Sequence, residues 1–247
     1  MKEEFTQIKG LDIEYITLGS GPDFLFLHGG GVSYRSYFPL INELAKHFRV
    51  WAFSYPGAGN SSKIPKRWEL ENYAELVSEF VKKLRIHPIL SGHSFGGAIA
   101  IKTKASHPEH FKELVLFSPA GAKMKKLNGA ILYVIYSDFR LILKNIFRKN
   151  KSDAYRDKII NLSKHFGDLS KVSDMFNSFD LKMDMMSVKD KTLLFWGKDD
   201  GVLPIKSFEV IKQSFSDIKA FLLDGKHRVC VDKAEEVVED IVRELKP

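Results

Sequence analysis

The feature that most constrains this chain is an alternation of short apolar runs with helical stretches. Phe24-Leu25-Phe26-Leu27 lies between Gly21-Pro22 and His28-Gly29-Gly30-Gly31, and Arg49 to Ser54 runs into Pro56-Gly57-Ala58-Gly59. Pro88 to Leu90, Leu114 to Phe117, Thr192 to Trp196 and Ala220 to Leu223 repeat the pattern. Runs this short and this apolar suit strands buried on both faces of a parallel sheet. Between them, Leu70, Tyr73, Val77, Phe80 and Leu84 recur at the helical period, which predicts a helix over Glu69 to Leu84. Further helices are expected over Ser36 to His47, over Ala98 to Ser106, and from Asp232, where Glu235 completes a capping-box-like pair. Residues 5 to 18 read as two strands that turn at Lys9 and Gly10. The fold class is therefore α/β, a mostly parallel central sheet with helices on both faces.

One stretch breaks the alternation. Ala120 to Lys191 is helical, Met-rich and basic, and reads as an insertion over the carboxyl edge of the sheet. The expected organisation is a core in two parts, 1–119 and 191–247, with a helical cap insertion at 120–190. A chain of 247 residues with 44% hydrophobic content can bury such a core. The net charge of +7 is regional. Between Ala122 and Lys151, Lys123, Lys125, Lys126, Arg140, Lys144, Arg148, Lys149 and Lys151 face Asp138 alone, and the rest of the chain balances. The single cysteine, Cys230, permits no internal disulfide. With an acidic, h-region-free start and no long uncharged apolar run, this favours a cytoplasmic protein.

The chemistry is carried by Gly92-His93-Ser94-Phe95-Gly96, a G-x-S-x-G string between a strand and a helix. On such a turn the serine hydroxyl projects above the sheet, and flanking glycines permit the tight approach of backbone. The helix start just beyond supplies N–H groups and a positive dipole end, so the Phe95 amide is a candidate oxyanion donor. The loop His28-Gly29-Gly30-Gly31 should supply a second donor, Gly30 first and Gly29 next. A serine needs a base, and the base needs an orienting acid. His227, just after the last strand, is the candidate base. His47, His87, His107, His110 and His165 lie in helices or polar loops and read as solvated, while the motifs themselves place His28 and His93. Asp199, Asp200 and Asp224 follow later strands and are candidate acids. The chain order Ser, Asp, His is the one expected of a nucleophile elbow on an α/β sheet. No H-E-x-x-H string or Cys/His cluster points to a metal, and no cofactor is expected.

Nearly the whole chain resembles the α/β-hydrolase superfamily, particularly its small members with a helical cap. The resemblance rests on His28-Gly29-Gly30-Gly31, Pro56 to Ser61, Gly92 to Gly97, Trp196 to Pro204, and Gly225 to His227. It implies an α/β-hydrolase fold and a serine hydrolase, with Ser94 as nucleophile, His227 as base and Asp200 as the acid. Ser94 argues against the epoxide and haloalkane hydrolases of the superfamily, which use an aspartate. The implied substrate is a small-molecule carboxylic ester or related acyl compound, lipid-like ones included. Haloperoxidase or perhydrolase activity, C–C bond hydrolysis and a non-catalytic ligand-binding homologue are the alternatives. Two departures stand out: Ser54 occupies the position where relatives carry the Asp of Asp-x-Pro-Gly, and Lys226 splits the usual Gly-His pair. The resemblance also implies that the cap lines the acyl or alcohol pocket, which makes Ile131, Leu132, Val134, Ile135, Phe139, Ile142, Leu143, Ile146 and Phe147 candidate lining, with Met183, Met185 and Met186. The economical reading is simple packing, with the lysines as a solvated face; a basic helix within 122–151 that touches an anionic membrane is the sharper alternative. No nucleic-acid module accompanies the charge. The sequence carries no sign of oligomeric state.

Overall fold

The computed structural model describes residues 3–66, 68–123, 161, 164 and 180–245. Within them an eight-stranded sheet has the order β1-β2-β4-β3-β5-β6-β7-β8. Its strands are β1 Glu3–Ile8, β2 Leu11–Leu18, β3 Asp23–Leu27, β4 Arg49–Ser54, β5 Ile89–His93, β6 Leu114–Phe117, β7 Thr192–Gly197 and β8 Ile218–Leu223. β2 pairs antiparallel with both β1 and β4. All other pairings are parallel. The apolar runs behave as their composition dictates: on β3, Leu25 and Leu27 face one core while Phe24 and Phe26 face the other.

Helices close both faces. Leu70, Tyr73, Leu76, Val77 and Phe80 of α2 (Leu70–Leu84) and Ile99 and Ile101 of α3 (Phe95–Ser106) enter the first core. So do Met185 of α4 (Lys182–Ser187) and Phe208 and Ile211 of α5 (Ile205–Ser214). The second core takes Leu40, Ile41 and Leu44 of α1 (Phe38–Leu44), Cys230 of α6 (Val229–Asp232), and Val237, Val238 and Ile241 of α7 (Ala234–Leu245).

Differences from the sequence reading have local causes. α3 begins at Phe95 rather than Ala98, because Gly96 and Gly97, poor helix formers, are needed inside it. A Cβ on Gly96 would stand 2.3 Å from the Leu27 carbonyl oxygen, and one on Gly97 would stand 2.5 Å from Pro119 Cβ. The last helix is interrupted: Val229–Asp232 forms one turn, Lys233 leaves helical geometry at φ −126° and ψ 42°, and α7 starts afresh. A helical turn over Tyr34–Tyr37 precedes α1 and replaces the single helix expected from Ser36. α5 carries a helical apolar pattern that the reading above did not use. Of the proposed insertion, residues 124–160, 162, 163 and 165–179 lie outside the described residues, and with them Ile131 to Phe147, nearly all of the basic stretch and His165. Met183 and Met186 are exposed, whereas Met185 is core. Among the described residues no helix is long and apolar enough to cross a membrane.

Candidate active site

The carboxyl ends of β3, β5, β7 and β8 gather the residues singled out by sequence. β5 delivers Ser94 at φ 52° and ψ −116°, a left-handed conformation that costs a non-glycine residue free energy. Its surroundings over-determine it. The Ser94 N–H donates to the Phe117 carbonyl at 3.0 Å, and its own carbonyl accepts from Ala98 at 3.1 Å and Ala120 at 3.0 Å. Gly92 is obligatory, since a Cβ there would meet the Gly96 carbonyl oxygen at 2.2 Å. Phe95 opens α3, so its amide sits at the helix end whose dipole favours negative charge.

The loop after β3 lies against this turn. A Cβ on Gly29 would approach His93 Nδ1 at 3.0 Å and Ser94 Cβ at 3.6 Å. The buried Tyr55 hydroxyl bridges the His28 and Gly29 carbonyl oxygens at 2.8 and 2.9 Å. The Gly29 N–H is committed to the Tyr37 hydroxyl at 3.0 Å. Gly30 is exposed, and its N–H meets no acceptor among the described residues.

Asp200 and His227 come together from the loops after β7 and β8. His227 Nδ1 lies 2.8 Å from Asp200 Oδ2, while Asp200 Oδ1 accepts from the amides of Val202 at 2.8 Å and Leu203 at 2.9 Å. Two backbone bonds therefore fix the carboxylate and leave its second oxygen for the imidazole. Of the other two candidate acids, Asp199 is exposed and Asp224 pairs with Lys198 at the surface. Lys226 does not disturb the arrangement. Gly197 packs so closely on this loop that a Cβ there would stand 2.4 Å from the Lys226 carbonyl oxygen. The His227 ring lies beside that of His93, centroids 4.7 Å apart, which brings it next to the Ser94 turn.

Sequence reasoning gave no role to Tyr37, Tyr55 or Arg228, because none belongs to a local motif. Arg228 Nη2 donates to the Ser36 carbonyl at 2.5 Å, and its guanidinium lies 5.5 Å from the Tyr37 ring centre. The departure at Ser54 is also resolved. Glu14, its register partner on β2, places a fully buried carboxylate beside it. Arg35 donates to both carboxylate oxygens, at 2.9 and 2.5 Å, and the Asn60 amide and side chain add two more bonds at 3.0 and 2.6 Å.

The family model for the alpha/beta hydrolase fold matches residues 22–187. A Mycoplasma pneumoniae protein provisionally named esterase/lipase 2 is 30% identical over 224 residues, covering 82% of this chain and 81% of that one. A pimeloyl-[acyl-carrier protein] methyl ester esterase of Pseudoalteromonas atlantica is 26% identical over 220 residues, covering 81% and 84%. An esterase structure from Exiguobacterium antarcticum superposes with a TM-score of 0.85 at 20% identity, covering 98% and 99% of the two chains. Fold, strand order and family match agree: the chain belongs to the α/β-hydrolase fold family.

Proposed function

We propose that the protein hydrolyses a carboxylic ester or related acyl compound through an acyl-serine intermediate. The observation that carries this reading is the 2.8 Å contact between His227 Nδ1 and Asp200 Oδ2, beside a serine held on a strained strand-to-helix turn. Ester hydrolysis is also the activity in the names of the relatives described above. Asp200 accepts the Nδ1 proton of His227, so the ring's other nitrogen is the one able to receive a proton. His227 takes the proton of Ser94 as Oγ attacks the acyl carbon. The carbonyl oxygen becomes an oxyanion, stabilised by the amides of Gly30 and Phe95. Gly30 is favoured over Gly29 because the Gly29 N–H is already spent on Tyr37. Collapse expels the alcohol, which leaves with the proton from His227. Water then attacks the acyl-serine by the same route, giving the carboxylic acid and free Ser94.

The test is covalent. A fluorophosphonate probe should label the wild-type chain once, and Ser94→Ala should abolish the label. No labelling, or labelling that survives Ser94→Ala, rejects the reading. A graded series of chromogenic esters then identifies the preferred acyl length.

A further inference from the structure

His93 is buried at the end of β5, one residue before Ser94, and the chemistry above gives it nothing to do. Its ring nevertheless joins two parts of the site. Nε2 lies 2.9 Å from the His227 carbonyl oxygen, and Nδ1 lies 2.7 Å from the Tyr37 hydroxyl, which also receives the Gly29 N–H at 3.0 Å. A carbonyl oxygen can only accept, so Nε2 carries a proton. Burial, together with the neighbouring His227 and Arg228, holds the ring well below the ordinary histidine range, against the opposing effect of its bond to the His227 carbonyl. The ring is therefore neutral, and Nδ1 must accept from Tyr37. The direction of each bond follows: Gly29 N–H to Tyr37 oxygen, Tyr37 O–H to His93 Nδ1, and His93 Nε2–H to the His227 carbonyl.

We propose that His93 is a positioning residue that locks the Gly29–Gly30 loop and the His227 loop into one frame through Tyr37. The proposal rests on the reading of Ser94 as nucleophile and His227 as base. The frame fixes the separation between the oxyanion donor and the base, two groups that act on one tetrahedral centre. Arg228 reinforces it from the His227 side by holding the Tyr34–Tyr37 turn. Loosening the frame misaligns both groups in the transition state while leaving ground-state binding intact, so the loss falls on kcat.

The experiment uses the full chain and three variants. Tyr37→Phe removes only the hydroxyl link and should lower kcat by roughly 10- to 100-fold, with KM within about twofold. His93→Gln keeps an N–H donor near the Nε2 position, whereas His93→Leu keeps none, so the glutamine variant should retain more kcat than the leucine variant. In wild-type protein, nitrogen-15 spectra of His93 should show the proton on Nε2 and a neutral ring at neutral pH. Unchanged kcat in Tyr37→Phe, equal losses in both His93 variants, or a ring that is charged at neutral pH or carries its proton on Nδ1 overturns the proposal. The ring signature decides the matter even if a variant fails to fold. If the wild-type chain takes the fluorophosphonate label and the variants match its kcat, the positioning role alone falls. If the wild-type takes no label, the hydrolase reading falls and the positioning role with it.

Discussion

Asp199 and Asp200 are chain neighbours with opposite surroundings. The first is exposed, and the second holds two backbone amides with one oxygen and His227 with the other. An asparagine at 200 would present an N–H to His227 Nδ1 and turn the imidazole to the wrong tautomer. Asp200→Asn should therefore cut kcat by up to about 10⁴-fold. Asp199→Asn, a surface change, should leave kcat within about twofold. Steady-state kinetics on one chromogenic ester decides between them, and a comparable loss in Asp199→Asn would move the acid role. These residues could be found in sequence because each follows a strand and sits within a short string of glycines, where close backbone approach restricts the choice of residue. Tyr37, Tyr55 and Arg228 could not, since their role arises only where distant loops meet.

Secondary-structure elements read less evenly than single positions. Strands buried on both faces announce themselves by apolar composition, and β4 and β6 fall where the sequence puts them. Helix starts were less legible, because steric need at Gly96 and Gly97 overrides helix propensity. Cross-strand compensation is invisible to a linear reading. The carboxylate absent at Ser54 is supplied by Glu14, forty positions earlier but its register partner in the sheet. Burial pushes the Glu14 carboxyl up, yet the bonds from Arg35 and Asn60 outweigh it and hold the group below the usual glutamate range. A depressed carboxyl contributes stability above its unfolded pKa and loses it as pH falls through the folded value. Glu14→Gln should therefore destabilise the fold at neutral pH by about 3 kcal/mol, since Arg35 loses its buried partner and keeps only Glu3 at the surface. The gap between wild type and variant should narrow as pH drops below about 4.5, the ordinary value for this group. Thermal midpoints over a pH series measure both effects, and a gap that widens in acid would contradict the assignment.

At the scale of the whole molecule, the question is how the segment between β6 and β7 is tied to the core. Its charge was legible in sequence as a regional excess, but amphipathic and basic patterns do not specify where such a segment docks. Two of its described residues report on this. Asn161 is buried and its Oδ1 accepts the Gly59 N–H at 2.7 Å, while Lys164 donates to Asn60 Oδ1 at 2.6 Å. Both contacts fall on the glycine turn after β4, whose neighbour Asn60 also binds Glu14. The turn thus joins the segment between β6 and β7 to the buried ion pair, so a loss at one should be felt at the other. Asn161→Ala removes this acceptor of the buried Gly59 N–H, at a cost of about 2 kcal/mol. For a chain of this size that lowers the thermal midpoint by about 6 °C. Coupling through the turn adds a sharper expectation: Asn161→Ala and Glu14→Gln together should cost less than the sum of their separate effects, by at least about 0.5 kcal/mol. Strict additivity in that double-mutant cycle would show the two contacts to be independent, and the turn after β4 would then be a point of attachment without a role in linking segment and core.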